Sequence, residues 1–121
     1  LTVASIEAAV DFYSRVLGME VITFGQGRTA LRLGGQKINL HAARAPIAPH
    51  ADRPVPGSAD LCLVAVGGID AAAAHLAACG VPVELGPVER AGARGSVRSL
   101  YVRDPDRNLV ELAFYDGAGE A

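Results

Sequence analysis

The predicted order of helices and strands occurs twice along this chain of 121 residues, and this repeat restricts the fold more than any other feature. The end of a strand, a helix and three strands are predicted up to residue 43, and the same order begins again at residue 60. Val66 follows Val3 by 63 positions, and Gly80 follows Gly18 by 62. Each of these glycines stands where a helix would end in the left-handed conformation. We interpret the chain as a tandem duplication of a βαβββ unit.

The repeat predicts an α+β fold within a single domain, residues 1–121. Module one covers residues 1–44, a proline-rich connector 45–58, module two 59–116 and a tail 117–121. The predicted helices are residues 6–17, with Ser5 as N-cap, and residues 69–79. The predicted strands are residues 19–24, 29–33, 36–43, 60–66, 81–88, 97–102 and 109–115. We expect the two modules to form a curved sheet around a cavity, with the helices outside and a ligand in the hollow.

A carboxylate stands in the last predicted strand. Residues 104–108, Asp-Pro-Asp-Arg-Asn, predict a turn, because proline fixes φ and the aspartate and asparagine side chains bond to nearby backbone. Glu111 shares a face of the following strand with Leu109, Ala113 and Tyr115. A carboxylate in so apolar a run requires a partner, a proton or a cation. A salt-bridged structural glutamate and a functional one are both consistent with this strand alone.

Composition excludes several classes of function. The net charge is −2 with both signs interspersed, so there is no basic stripe for nucleic acid. No apolar run approaches the about 20 residues of a membrane span. Cys62 and Cys79 stand in apolar settings without a CxxC pair, and we expect reduced core cysteines in a cytoplasmic protein. His50 in the connector and His75 in the second helix are expected at the surface.

Four segments give the chain a resemblance to the vicinal oxygen chelate superfamily, which includes glyoxalase I, bleomycin-resistance proteins and extradiol dioxygenases. The resemblance covers essentially the whole chain and is nearest to glyoxalase domain-containing protein 5 and the virulence-type glyoxalases. Its markers are Phe12-Tyr13-Ser14-Arg15-Val16-Leu17-Gly18-Met19-Glu20, Gln36-Lys37-Ile38-Asn39-Leu40-His41, Pro56-Gly57-Ser58-Ala59-Asp60-Leu61-Cys62 and residues 104–111.

The resemblance implies a divalent metal ion (Zn, Ni, Mn or Fe) held by the first and last strand of each module. Carried over to this chain, the metal ligands are His41 and Glu111, which we take as equivalent positions. Asp60 stands where the family usually has histidine, and this shorter, anionic side chain is either a third ligand, a group that contacts a ligand, or neither. The fourth ligand is expected about three residues before Leu1, because residues 1–3 resemble the end of a strand already under way. In glyoxalase I a carboxylate ligand also carries the proton, which makes Glu111 the candidate catalytic residue.

Three functions remain open at this point. The first is a metal-dependent lyase or isomerase of the glyoxalase I type, acting on a small substrate that chelates the metal through vicinal oxygens, with room for a thiol cosubstrate. The second is a metal-free small-molecule binding module of the antibiotic-resistance type, for which Asp60 in place of histidine argues. The third is an Fe(II) ring-cleaving dioxygenase, whose chains are usually longer. In all three cases we expect a homodimer.

Arginines on or beside the predicted strands provide a second set of candidates, as clamps for a carboxylate or phosphate. Solvated surface arginines are the alternative for each of them. Residues 86–95, rich in glycine and arginine, are predicted to form a mobile flap near the site. The candidate arginines are Arg28, Arg32, Arg94, Arg98 and Arg103.

Overall fold

The computed structural model describes residues 1–115; residue 116 of the predicted second module and the predicted tail 117–121 lie outside this range. None of the described helices is long and apolar enough to cross a bilayer. In chain order the elements are β1 (Thr2–Val3), α1 (Ile6–Asp11), a π-helical turn (Phe12–Val16), β2 (Glu20–Phe24), β3 (Arg28–Leu33), β4 (Gln36–Ala42), β5 (Asp60–Val64), α2 (Ile69–Ala78), β6 (Leu85–Gly92), β7 (Gly95–Arg103) and β8 (Leu109–Tyr115).

The described residues form two compact units, each with a four-stranded sheet. The first unit contains residues 1–59 and 104–108, and its strand order is β1-β4-β3-β2 with β1 parallel to β4. The second unit contains the described residues 60–103 and 109–115, and its order is β5-β8-β7-β6 with β5 parallel to β8. The same strand order in both units confirms the predicted α+β class and the duplication.

The helix of each unit packs against its own sheet, α1 against β4 and α2 against β7. Ser5 caps α1 as predicted, because its Oγ accepts a hydrogen bond from the Ala8 amide at 3.1 Å. Alternation along the strands turns the large apolar side chains toward the core. The largest fully buried ones include Tyr13 and Leu31 in the first unit, and Leu76, Leu100, Val102 and Val110 in the second.

The first helix is not a continuous α-helix to residue 17, as predicted, but becomes π-helical over Phe12–Val16. The Ser14 hydroxyl donates to the Val10 carbonyl at 2.6 Å, and the Leu17 amide reaches back five residues to the carbonyl of Phe12. A serine that bonds to a carbonyl of the preceding turn competes with the ordinary helical bond. The apolar spacing of this segment does not reveal that competition.

The predicted turn at residues 104–108 is present, and it is built around a buried aspartate. Asp104 is 3% exposed. Its Oδ1 accepts the amides of Asp106 and Asn108, each at 2.9 Å. Its Oδ2 accepts the Tyr13 hydroxyl at 2.7 Å and the Asn108 Nδ2 at 2.8 Å. Burial, followed by the hydrogen bond to Asp104, raises the pKa of Tyr13. The turn therefore belongs to the first unit through side-chain bonds that backbone signals do not predict.

Two further expectations are corrected by the structure. Cys62 is exposed and Cys79 is half-exposed, so neither is a core residue; Cys62 lies on β5, which is an edge strand of its sheet. The predicted flap at residues 86–95 lies almost entirely in a β-hairpin, in which Val88 pairs with Ser99 and Gly92 with Gly95. Gly95 has a φ of 119°, which allows the tight reversal between β6 and β7.

Candidate functional site

Glu111 lies on the face of the second sheet opposite to the buried side chains Val110 and Leu112. In the register it pairs with Cys62 of β5 on one side and Tyr101 of β7 on the other. The side chain is half-buried, and the hydroxyl of the fully buried Ser99 donates to its Oε2 at 2.6 Å. The structure thus holds a carboxylate in a fixed orientation on the face of the sheet opposite to Val110 and Leu112.

The Cys62 thiol also bonds to the Glu111 carboxylate. Partial burial and the charge of Glu111 raise the pKa of this thiol, so it keeps its proton and donates it. A carboxylate has about four lone-pair positions, and two donors leave further positions for a substrate or a cation. Strand alternation could have found Ser99 and Cys62, because both lie on the face of Glu111 in neighbouring strands.

Asp60 is the first residue of β5, two positions from Cys62 on the same face, and its side chain is exposed. The pKa of Arg103 is raised mainly by its hydrogen bond to Glu84. The charge of Asp60 adds a smaller contribution, so Asp60 lies near this guanidinium. The structure therefore brings Asp60 and Glu111 to one face of one sheet, in adjacent strands.

Most of the arginine candidates already have partners. Arg103 makes a two-pronged ion pair with Glu84, at 2.9 and 3.0 Å, and Arg32 pairs with Glu20. Arg28 and Arg94 lie over aromatic rings, at 5.2 Å from the centre of Phe24 and 4.2 Å from that of Tyr115. Arg98 pairs in register with Phe114, on the face opposite to Glu111. The charge of the half-buried Arg28 is near enough to His41 to contribute to the lowered pKa of that imidazole, after the larger effect of burial.

His41 lies on β4 and is 9% exposed. Its Nδ1 accepts a hydrogen bond from the backbone amide of Ile47 at 3.2 Å, and burial is the main cause that lowers its pKa. The ring of His50 stands edge-on to it with 6.4 Å between ring centres. His50 is exposed as predicted. Its contact with His41 could not be predicted from the sequence, because the connector has no periodicity from which to place it.

The strand register differs from the predicted equivalence of His41 and Glu111. His41 pairs with Thr2, four residues before α1 begins. In the second unit Ala113 pairs with Val64, five residues before α2, whereas Glu111 pairs with Cys62, seven residues before it. Counted from the helix, His41 stands one position from a match with Ala113 and three positions from a match with Glu111. Asn39, two residues earlier on the face of His41, stands one position from a match with Glu111.

The residues predicted to bind the metal ion implied by the resemblance differ in how well they suit that role. Within residues 1–115, no three histidine, cysteine, aspartate or glutamate side chains come together as a metal-binding group. Asp60 and Glu111 offer oxygen donors of the kind that bind divalent cations together with water or substrate oxygens. His41 does not fit the role of a metal ligand in the observed arrangement. Its Nδ1 accepts a hydrogen bond, so the ring proton is on Nε2 and neither nitrogen offers a lone pair to a metal ion. Of the four metals considered, this oxygen-rich set suits Mn best.

Comparison with known proteins identifies the family. The model of the Glyoxalase/Bleomycin resistance protein/Dioxygenase superfamily matches residues 1–112. The chain is 46% identical over 115 residues to Virulence protein STM3117 of Salmonella typhimurium strain LT2, covering 95% of this chain and 80% of that protein. It is 50% identical over 118 residues to Glyoxalase domain-containing protein RDO1 of Mycosarcoma maydis, covering 98% of this chain and 66% of that protein.

Solved structures agree with this relationship. The crystal structure of the Salmonella virulence protein superposes with a TM-score of 0.92, covering 95% of this chain and 91% of that one. A lactoylglutathione lyase from Agrobacterium tumefaciens is 26% identical with a TM-score of 0.71, covering 98% and 92%. TnmS3, an antibiotic binding protein from Streptomyces sp. CB03234, is 25% identical with a TM-score of 0.71, covering 94% and 91%. The chain belongs to the glyoxalase/bleomycin resistance protein/dioxygenase superfamily.

Proposed function

We propose that this chain is a glyoxalase-like lyase or isomerase that acts on a small substrate with oxygens on neighbouring carbon atoms. The observation that carries the proposal is Glu111, a half-buried carboxylate on the face of its sheet opposite to Val110 and Leu112, oriented by Ser99 at 2.6 Å and by the Cys62 thiol. Such a carboxylate is suited to remove a proton from the carbon next to a carbonyl and return it to the neighbouring carbon.

The surrounding residues support this role in two ways. Ser99 and Cys62 donate to the carboxylate, so its rotamer is fixed before a substrate arrives. Asp60 adds a second carboxylate on the same face. A divalent cation held by Asp60 and Glu111 would supply a Lewis acid for the negative charge that develops on the substrate oxygens.

The likeness to a lactoylglutathione lyase at 26% identity supports a thioester product and hence a thiol cosubstrate. We therefore propose the hemithioacetal of an α-ketoaldehyde and a thiol as the first substrate class to test. A homodimer and a cytoplasmic location remain predictions, and sedimentation of the purified protein tests the first of them.

The test compares Glu111→Gln with the wild type in the conversion of methylglyoxal and glutathione to the thioester, with Mn²⁺ present. Glutamine still accepts the Ser99 hydrogen bond but cannot take a proton, so we expect kcat to fall by about 10²- to 10⁴-fold. The control is Glu89→Gln, an exposed glutamate on β6 of the same sheet, paired with Arg98 on the opposite face. Equal kcat values for the two variants would refute the role of Glu111.

A second candidate function is metal-free binding of a small molecule. The hydrogen bond from Ile47 to His41 favours it, because it removes an imidazole from the ligand set. The likeness to an antibiotic binding protein at 25% identity gives it a precedent in the same fold. Calorimetric binding of a small molecule by protein treated with chelator, with the ligand recovered unchanged, would favour this candidate over the lyase.

A further inference from the structure

We propose that His41 and His50 form a paired hydrogen-bonding site, in which Nε2 of His41 donates and Nε2 of His50 accepts, and that the pair recognises a hydroxyl next to a carbonyl. The inference goes beyond the proposed function, because both histidines lie in the first unit and the pair would take any small ligand that carries these two groups on adjacent carbons. It gives His41 a role other than that of a metal ligand. It also assigns a role in ligand binding to the connector, residues 45–58, which contains His50.

The donor role of His41 follows from its contact with the backbone. An amide N–H can only donate, so the Ile47 amide at 3.2 Å requires a lone pair on Nδ1 of His41. A neutral imidazole with a lone pair on Nδ1 carries its proton on Nε2. Metal-binding histidines show the opposite arrangement, in which the second ring nitrogen donates to a carbonyl or carboxylate. His41 is therefore built to present an N–H group.

His50 has the complementary arrangement. Its Nδ1 lies 2.9 Å from the carbonyl oxygen of Ala51. A carbonyl oxygen can only accept, so the proton of the neutral ring is on Nδ1 and Nε2 has a lone pair. The two histidines lie in the same unit and are thus fixed by their own backbone contacts as opposite tautomers.

The spacing of the rings suits one small ligand. Their centres are 6.4 Å apart and the rings are inclined at 74°. Hydrogen bonds of about 2.9 Å that converge from the two rings can reach polar groups on adjacent atoms of one ligand that lies beside the pair. A carbonyl oxygen accepts from His41 while the neighbouring hydroxyl donates to His50. A neutral imidazole acting as an electrophile toward a carbonyl is an established catalytic role.

The first test reads the tautomers without turnover. Two-dimensional ¹H–¹⁵N spectra of the imidazoles, recorded on the wild-type protein near pH 7.5, distinguish a proton on Nε2 from one on Nδ1. We expect the Nε2–H form for His41 and the Nδ1–H form for His50, and both sets of signals should shift when hydroxyacetone is added. The Nδ1–H form at His41, or no shift at either ring with hydroxyacetone, would overturn the proposal.

The second test separates a donor from a metal ligand by two substitutions. His41→Gln keeps an N–H donor at the position of Nε2, whereas His41→Glu supplies a carboxylate ligand and no donor. We expect the Kd for hydroxyacetone to rise less than about threefold in the glutamine variant and about tenfold in the glutamate variant. The Kd for Mn²⁺ alone should change less than about twofold in the glutamine variant. His75→Gln on α2 is the matched control for both ligands.

The opposite pattern would assign His41 to the metal: weaker Mn²⁺ binding in the glutamine variant, restored in the glutamate variant. Because these readouts concern tautomers and affinities at His41, they can fail while Glu111→Gln still abolishes turnover. Conversely, an active Glu111→Gln variant would refute the proposed proton transfer and leave the tautomers unchanged. The two failures are therefore distinguishable.

Discussion

The hydrogen bond between Tyr13 and Asp104 offers a direct test of how the turn at residues 104–108 is held. The Tyr13 side chain is fully buried and its hydroxyl donates to Oδ2 of the 3% exposed Asp104 at 2.7 Å. Tyr13→Phe removes this one donor and leaves the ring in place. Because the acceptor is a buried carboxylate, we expect the loss of about 1.5–3 kcal/mol in the free energy of unfolding.

Urea unfolding followed by circular dichroism measures this loss. With a slope of about 1–3 kcal/mol per molar urea, a loss of about 2 kcal/mol lowers the midpoint by roughly 1 M. The matched control is Tyr101→Phe, because that hydroxyl accepts a hydrogen bond from the exposed Arg90 side chain, at 3.2 Å; we expect a change within about 0.5 kcal/mol. Equal midpoints for the two variants would refute the claim that the buried bond holds the turn.

Three further predictions follow from the same structure. Because the pKa of Tyr13 is raised in the folded protein, its contribution to stability is complete below about pH 10 and is lost as the pH rises further. When the pH is raised above 10, the urea midpoint of the wild type should therefore decrease more steeply than that of Tyr13→Phe. Burial and the charge of Glu111 raise the pKa of the Cys62 thiol, so iodoacetamide should alkylate Cys62 faster in Glu111→Gln than in the wild type. Mass spectrometry measures the rate of alkylation. Gly86 has a φ of 123°, and a Cβ there would collide with the carbonyl oxygen of Ser99. Gly86→Ala should therefore lower the melting temperature, with a loss of about 2 kcal/mol or more in the free energy of unfolding. An unchanged melting temperature would refute the collision.

The architecture could be predicted because it depends on local signals that occur twice. Strand β8 occupies the predicted residues Leu109–Tyr115, and Gly18 and Gly80 have the expected positive φ values of 76° and 73°. Apolar alternation and glycine position express backbone preferences that act over a few residues. Where such preferences agree with the fold, the sequence alone is sufficient to predict a strand or the end of a helix.

The candidate site depended on information that no local pattern contains. The equivalence of His41 and Glu111 follows from strand order, whereas the register, in which Asn39 lies nearer than His41 to the position of Glu111, depends on how far each strand extends before its helix. The contact between Ile47 and His41 depends on the path of an irregular connector. The burial of Asp104 depends on a tyrosine 91 residues earlier in the chain.

Deuterium exchange tests the central claim, proton transfer by Glu111, most directly. The protein is incubated with hydroxyacetone or with a hemithioacetal in deuterated buffer, and deuterium at the carbon next to the carbonyl is measured by NMR. The account predicts exchange catalysed by the wild type and by Glu89→Gln, and none above the uncatalysed rate with Glu111→Gln. Exchange by Glu111→Gln at the wild-type rate would contradict it.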